Sequence, residues 1–214
     1  MITMVALPTI SFAKPAVPAA GVVVVFVDGD NAAGPHARAV MEATGGTLDR
    51  AITATAFKGK AQSALDVVAP AGVALDRVII VGLGALAELS ADSVMKLGGS
   101  VMGRIKDAKA KEVTILLDRA DGVAFDPQLA AEFALGMRLR AYEWDKHRTK
   151  KKDEPAPAAA ITICVDDPGA ADKAWSGLSH VAAGVDLARD LVNEAPNILG
   201  PVEFAEEARG LAAL

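Results

Sequence analysis

The chain has 214 residues, 52% of them hydrophobic and 23% charged, with a net charge of -5; this supports a large buried core and excludes a disordered chain. An acidic balance of that size gives no overall reason to expect nucleic acid or an anionic membrane as partner. The single cysteine, Cys164, cannot close an intramolecular disulfide, and its place in the apolar run ITICV suits a small buried side chain.

In chain order, the start MITMVALPTISFAKP has no basic leader ahead of an apolar stretch, and no later apolar run approaches the ~20 residues that span a bilayer. Both features point to the cytoplasm. Short apolar, β-branched segments then predict strands at 22–27 (VVVVFV), 52–57 (ITATAF), 65–69 (LDVVA), 77–82 (RVIIVG), 113–117 (VTILL) and 161–165 (ITICV). Runs this uniformly apolar suit strands covered on both faces.

Between the strands, His36 to Thr44 predicts a short helix ended by Gly45 and Gly46. Ser90, Asp92, Val94, Leu97, Val101 and Ile105 predict a capped amphipathic helix. Pro127 suits a first helical turn, with Leu129, Phe133, Leu135, Gly136, Met137 and Leu139 carrying the helix onward. The stretch KHRTKKKDEPAPAAA from Lys146 is charged and then proline-rich, as expected of an exposed connection into the last strand. After Pro168 and Gly169 a helical pattern runs through Ala174, Leu178, Val181, Val185, Leu187 and Leu191 until Pro196 ends it, long enough to be a spacer between two domains. The fold class is therefore α/β, a mostly parallel or mixed sheet sandwiched between helices and followed by a linker helix.

Three patterns could carry chemistry. Gly82, Gly84 and Ala87 follow a strand in a loose dinucleotide-binding spacing, but the best helix start is Ser90, several residues late, and no acidic residue ends a second strand at the ribose position. A tight strand exit is the favoured reading. The acidic pairs Asp28 with Asp30, Asp118 with Asp121, Asp166 with Asp167, and Glu206 with Glu207 read as solvated turns and one exposed helical face. His36, His147 and His180 are scattered, without helical ligand spacing, and no nucleophile has a recognisable partner. The basic run Lys146, Arg148, Lys150, Lys151 and Lys152 could meet phosphates, yet Asp145, Asp153 and Glu154 flank it and only Tyr142 and Trp144 offer stacking surfaces, which favours a solvated loop over DNA. No catalytic, cofactor-binding or metal-binding residue is assigned.

Three blocks remain: RVIIVGLG at 77–84, ALGMRLRAYEWDKHRTKKK at 134–152, and NEAPNILGP with FAEEA near the end. The order Gly136, Leu139, Tyr142, Trp144, Asp145, Lys146 and the spacing of Arg189, Asp190, Leu191, Asn193, Pro196, Asn197, Pro201, Phe204 and Ala205 resemble the leucyl (cytosol) aminopeptidases where they pass from N-terminal to catalytic domain. Pro196 sits one residue later than in the commoner family pattern, and Gly200 replaces a frequent threonine.

The resemblance implies a macro-like N-terminal α/β domain over 1–168, an interdomain helix over 169–194, and an incomplete beginning of the catalytic domain over 195–214. It implies a parent that releases N-terminal residues from peptides with two zinc or manganese ions, held by a lysine, aspartates and a glutamate in a C-terminal domain whose NTDAEGR run this sequence lacks. A two-metal site activates a bridging water and clamps the carbonyl oxygen, so a chain without those ligands is expected to be inactive. Its partners would be its own catalytic domain and, in the full-length protein, the other subunits of a homo-hexamer. Some bacterial members of the family also bind DNA. A nucleotide or ADP-ribose module of macro-like fold is the alternative.

Overall fold

The computed structural model describes residues 7–147 and 158–211. Six strands, β1 (Thr9–Ala13), β2 (Val22–Asp28), β3 (Ala64–Val68), β4 (Arg77–Gly84), β5 (Glu112–Leu116) and β6 (Ala160–Cys164), form one sheet in the order β1-β6-β5-β2-β4-β3. All neighbours pair parallel except β3, which returns antiparallel on β4. Six helices accompany it: α1 (Pro35–Ala43), α2 (Thr47–Ala54), α3 (Ala91–Asp107), α4 (Pro127–Ala141), α5 (Pro168–Asn193) and α6 (Pro201–Leu211). The expected α/β sandwich is what forms.

Why β2 is apolar throughout follows from its position. Val22, Val24 and Phe26 point into a core shared with α3 and α4, whereas Val23, Val25 and Val27 point into a second core with α1 and α2. Side chains alternate across a strand, so a strand covered on both faces needs hydrophobes at every position. Cys164, 3% exposed, belongs to the second core, in keeping with a structural role.

The helix boundaries follow local chemistry. Ser90 accepts from the Ser93 amide while the Ser93 hydroxyl accepts from the Ser90 amide, a reciprocal cap that starts α3. Asp126 caps α4 ahead of Pro127, and Asp167 caps α5 ahead of Pro168, each proline occupying a turn where no N–H is needed.

One expectation is corrected here. Residues 52–57 are not a strand: Ile52 to Ala54 close α2, and Phe57 follows beyond the helix end. The β-branched residues misled there, because Leu48 and Ile52, four residues apart, pack on the second core and that packing outweighs the propensity of isoleucine and threonine. Conversely, TISFA forms the edge strand β1 beside β6, an element the composition of the first residues did not announce.

α3 and α4 cross with their backbones almost touching. A Cβ added at Gly98 would stand 2.0 Å from the Phe133 carbonyl oxygen, and one at Gly136 would stand 1.8 Å from the Met95 carbonyl oxygen. Only glycine allows that approach.

Candidate functional site

The end of α4 and the end of α5 are joined by a ladder of polar contacts. Arg138 Nη1 lies 2.5 Å from Asp186 Oδ2, with both side chains mostly buried. Next, Arg189 donates to the Leu139 carbonyl at 2.8 Å and places its guanidinium 5.3 Å from the centroid of the Tyr142 ring. The Tyr142 hydroxyl donates to Asp190 at 2.8 Å and accepts from Asn193 at 3.2 Å. Lys146 and His147 close the series on Glu194. Partner numbers rise together along both stretches, so 138–147 runs alongside 186–194 in the same direction.

Charges in this seam set each other. Burial first, and then the bond to Asp190, push the Tyr142 hydroxyl above its usual range, so it remains a donor. Lys146 and His147 pull the Glu194 carboxyl from its ordinary 4.5 down to about 2. Trp144 flanks this last rung, with Lys146 Nζ 5.8 Å from its ring centroid and the His147 ring edge-on at 5.9 Å. Tyr142, Trp144, Lys146, Arg189 and Asn193, which the sequence marked as a pattern, are thus brought together.

The remaining candidates are placed elsewhere. Gly82 and Gly84 sit under the chain segment 59–63: Gly82 donates to Ser63 O, Gln62 donates to Gly82 O, and Gly84 donates to Gly59 O, each at 2.9 Å. A Cβ at Gly82 would stand 2.2 Å from the Lys60 carbonyl oxygen. The glycines therefore admit the close passage of the protein's own backbone at 59–63, which accepts from the Gly82 and Gly84 amides. This is the tight exit that the spacing suggested.

Among the acidic pairs, Asp28 accepts from the amides of Asp30 and Ala32, and Asp167 caps α5, as turn and cap chemistry predicts. Asp118 departs from the expectation of a solvated turn. It is 8% exposed and accepts from the His36 and Ala37 amides at 2.7 and 3.3 Å, capping α1 from the loop that follows β5. Burial pushes its carboxyl up despite those bonds. The pair Glu206 and Glu207 is exposed on α6. Of the histidines, His36 offers its amide to Asp118, His147 meets Glu194, and His180 is exposed on α5. Of the basic run, Lys146 and His147 belong to the seam; Arg148, Lys150, Lys151 and Lys152 lie outside the described residues. Among the described residues, no group of three or more His, Cys, Asp or Glu side chains comes together as metal ligands would.

The final helix lacks a core. α6 buries no residue, and Val192, Ile198, Val202, Phe204 and Leu211 are all exposed. Ala195 O accepts from the amides of Ile198 and Leu199, forming the turn that carries the chain from α5 to α6.

Comparison with known proteins agrees with this geometry. Residues 22–151 match the cytosol aminopeptidase family, N-terminal domain. The chain is 44% identical over 207 residues to a Rhodopseudomonas palustris (strain TIE-1) protein named "Probable cytosol aminopeptidase", covering 96% of this chain and 41% of that relative. A Rhizobium etli (strain CIAT 652) protein of the same name is 45% identical over 172 residues, 79% of this chain and 34% of its own. The chain thus spans about two fifths of the first of these curated relatives and about one third of the second. Among solved structures, a mutant of tomato leucine aminopeptidase superposes with a TM-score of 0.80 at 23% identity, covering 97% of this chain and 43% of that one. The bottromycin maturation enzyme BotP gives 0.67 at 23% identity, covering 91% and 37%. On the strength of the family match over most of the sheet and its helices, and of relatives above two fifths identity, the chain belongs to the cytosol aminopeptidase family and carries its N-terminal domain.

Proposed function

We propose that this chain is the non-catalytic N-terminal part of a leucyl aminopeptidase, whose parent releases N-terminal residues from peptides. The observation that carries the reading is coverage: nearly the whole chain aligns, yet only 41% of the relative is used. In this reading residues 1–168 form the N-terminal α/β domain, 169–194 the interdomain helix, and 195–214 the start of the catalytic domain. The uncovered face of α6 supports it, because Phe204 and Leu211, seven residues apart on one helical face, suit burial against further protein.

The chemistry of the parent would rest on two divalent ions, zinc or manganese, which polarise the scissile carbonyl and activate water. One structurally similar chain is that of the bottromycin maturation enzyme BotP in complex with Mn. The described residues here do not present a matching donor set, so no step of that chemistry is assigned to this chain. Peptides as substrate, a homo-hexamer and a cytoplasmic location belong to the parent in this proposal; the relatives' names support the location, and no helix among the described residues is long and apolar enough to cross a membrane.

The test is hydrolysis of a leucine chromogenic amide with added manganese. The purified 214-residue chain is expected to give no turnover above the uncatalysed rate. Robust turnover that survives further purification would overturn the proposal.

A further inference from the structure

The last rung of the seam sits where the chain leaves α5. Glu194 follows the final helical residue, Asn193, and its amide still donates to Asp190 O. Its carboxylate meets Lys146 Nζ and, at 2.5 Å, His147 Nε2, while also accepting from the Ala195 amide at 3.1 Å. One side chain thus ties the helix end, the following turn and the distant strand of chain after α4.

A second observation concerns charge. Lys146 lines a cleft with Glu194, Glu203, Glu206 and Glu207, floored by Ile198 and Leu199. Among the described residues lining this cleft, Lys146 is the basic one, beside four glutamates. Without that cation, Glu194 and the acidic residues of α6 would share one cleft without a neutralising charge, and like charges repel.

We propose that Lys146 and His147, closing on Glu194, form a latch that fixes the direction in which the chain leaves α5 and holds α6 beside the seam. With the latch closed, the turn 195–200 has one conformation. With it open, carboxylate repulsion drives α6 outward, and the segment 195–211 pivots about the end of α5. This inference stands on the geometry of the seam and does not require the aminopeptidase reading.

Amide hydrogen exchange of the 214-residue chain tests it, comparing the parent sequence with Lys146→Gln/His147→Gln. These side chains lie outside both cores, so the sheet is left intact. The Ile198 and Leu199 amides are expected to exchange at least about tenfold faster in the variant, with Val24 and Ile115 unchanged. Because surface charges are screened within ~10 Å at 0.1 M salt, the acceleration should shrink at 0.5 M sodium chloride. The single variant Glu194→Gln removes the carboxylate that both cations hold, and should accelerate the same two amides less, because one repelling charge is gone. Exchange at Ile198 and Leu199 within twofold of the parent in the double variant overturns the latch. Equal acceleration at low and high salt overturns the repulsive part.

Discussion

Gly136 rests on the backbone of Met95, so closely that the smallest side chain would drive its β-carbon to 1.8 Å from the Met95 carbonyl oxygen. This contact sets the spacing of α3 and α4, and thereby the position of everything that α4 presents to α5.

Gly136→Ala should therefore destabilise the chain. Overpacking a filled core costs about 1–3 kcal/mol, and a clash with rigid backbone belongs at the upper end of that range. Chemical denaturation is expected to show a lower midpoint with an unchanged slope. A midpoint equal to that of the parent would mean that the helices separate at no cost.

The ion pair of Arg138 and Asp186 lies deep in the seam, with side chains 16% and 13% exposed. Removing one partner strands the other, which costs about 3–5 kcal/mol in buried pairs, whereas replacing both by hydrophobes of similar size is often neutral. Asp186→Leu alone should be strongly destabilising, and Arg138→Met/Asp186→Leu should recover most of the loss. The coupling in a double-mutant cycle of unfolding free energies checks this.

Acid should weaken the last rung within a defined window. The folded Glu194 carboxyl titrates near about 2 instead of its ordinary 4.5. A depressed carboxyl contributes stability above its unfolded pKa and loses it as pH falls through the folded one. The stability difference between parent and Glu194→Gln should be constant above about pH 4.5 and shrink between there and about 2. A difference that persists unchanged to pH 2 would show that the charge is not what matters.

Asp118 behaves oppositely. Burial raises its carboxyl, so its ionised form is disfavoured in the folded chain, and the contribution present at low pH is lost as pH rises through the folded value. Asp118→Asn keeps an oxygen for the His36 and Ala37 amides without the charge and should match or exceed the parent in stability at pH 7. Asp118→Ala removes the cap of α1, and cap losses run about 0.5–2 kcal/mol. Melting temperatures of the two variants, compared at pH 7, separate charge from cap.

The Gly82 and Gly84 exit predicts silence toward nucleotides. Calorimetric titration with ADP-ribose at high protein concentration should give no heat, because segment 59–63 lies against these glycines and already bonds the amides of Gly82 and Gly84. Measurable binding would mean that this segment lifts away.

Much of the architecture was legible in the chain. β2, β4, β5 and β6 declare themselves because strands buried on both faces are apolar over most of their length, Ser90 marks a helix start by its capping bonds, and Pro127 and Pro168 mark two more because a first turn needs no N–H. What failed was decided by tertiary packing. Residues Ile52 to Ala54 carry strand-like side chains, yet belong to a helix because Leu48 and Ile52 share a core face. β1 is short and lies at the sheet edge, where its side chains need not be uniformly apolar. Asp118 looks like any acidic turn residue until the fold carries α1 over it. The seam was half visible: Tyr142, Trp144, Lys146, Arg189 and Asn193 stood out as a pattern, but the carboxylates that answer them, Asp186, Asp190 and Glu194, are unremarkable residues until two remote stretches meet.

The ladder between α4 and α5 has a mechanical consequence. Because its rungs bind the two stretches over the whole span from Arg138 to His147, torque applied at the end of α5 is not dissipated as in a slack tether. It passes into α4, through the glycine crossing into α3, and so to the sheet. Whatever is mounted on the far end of α5 would swing this body as a stiff arm.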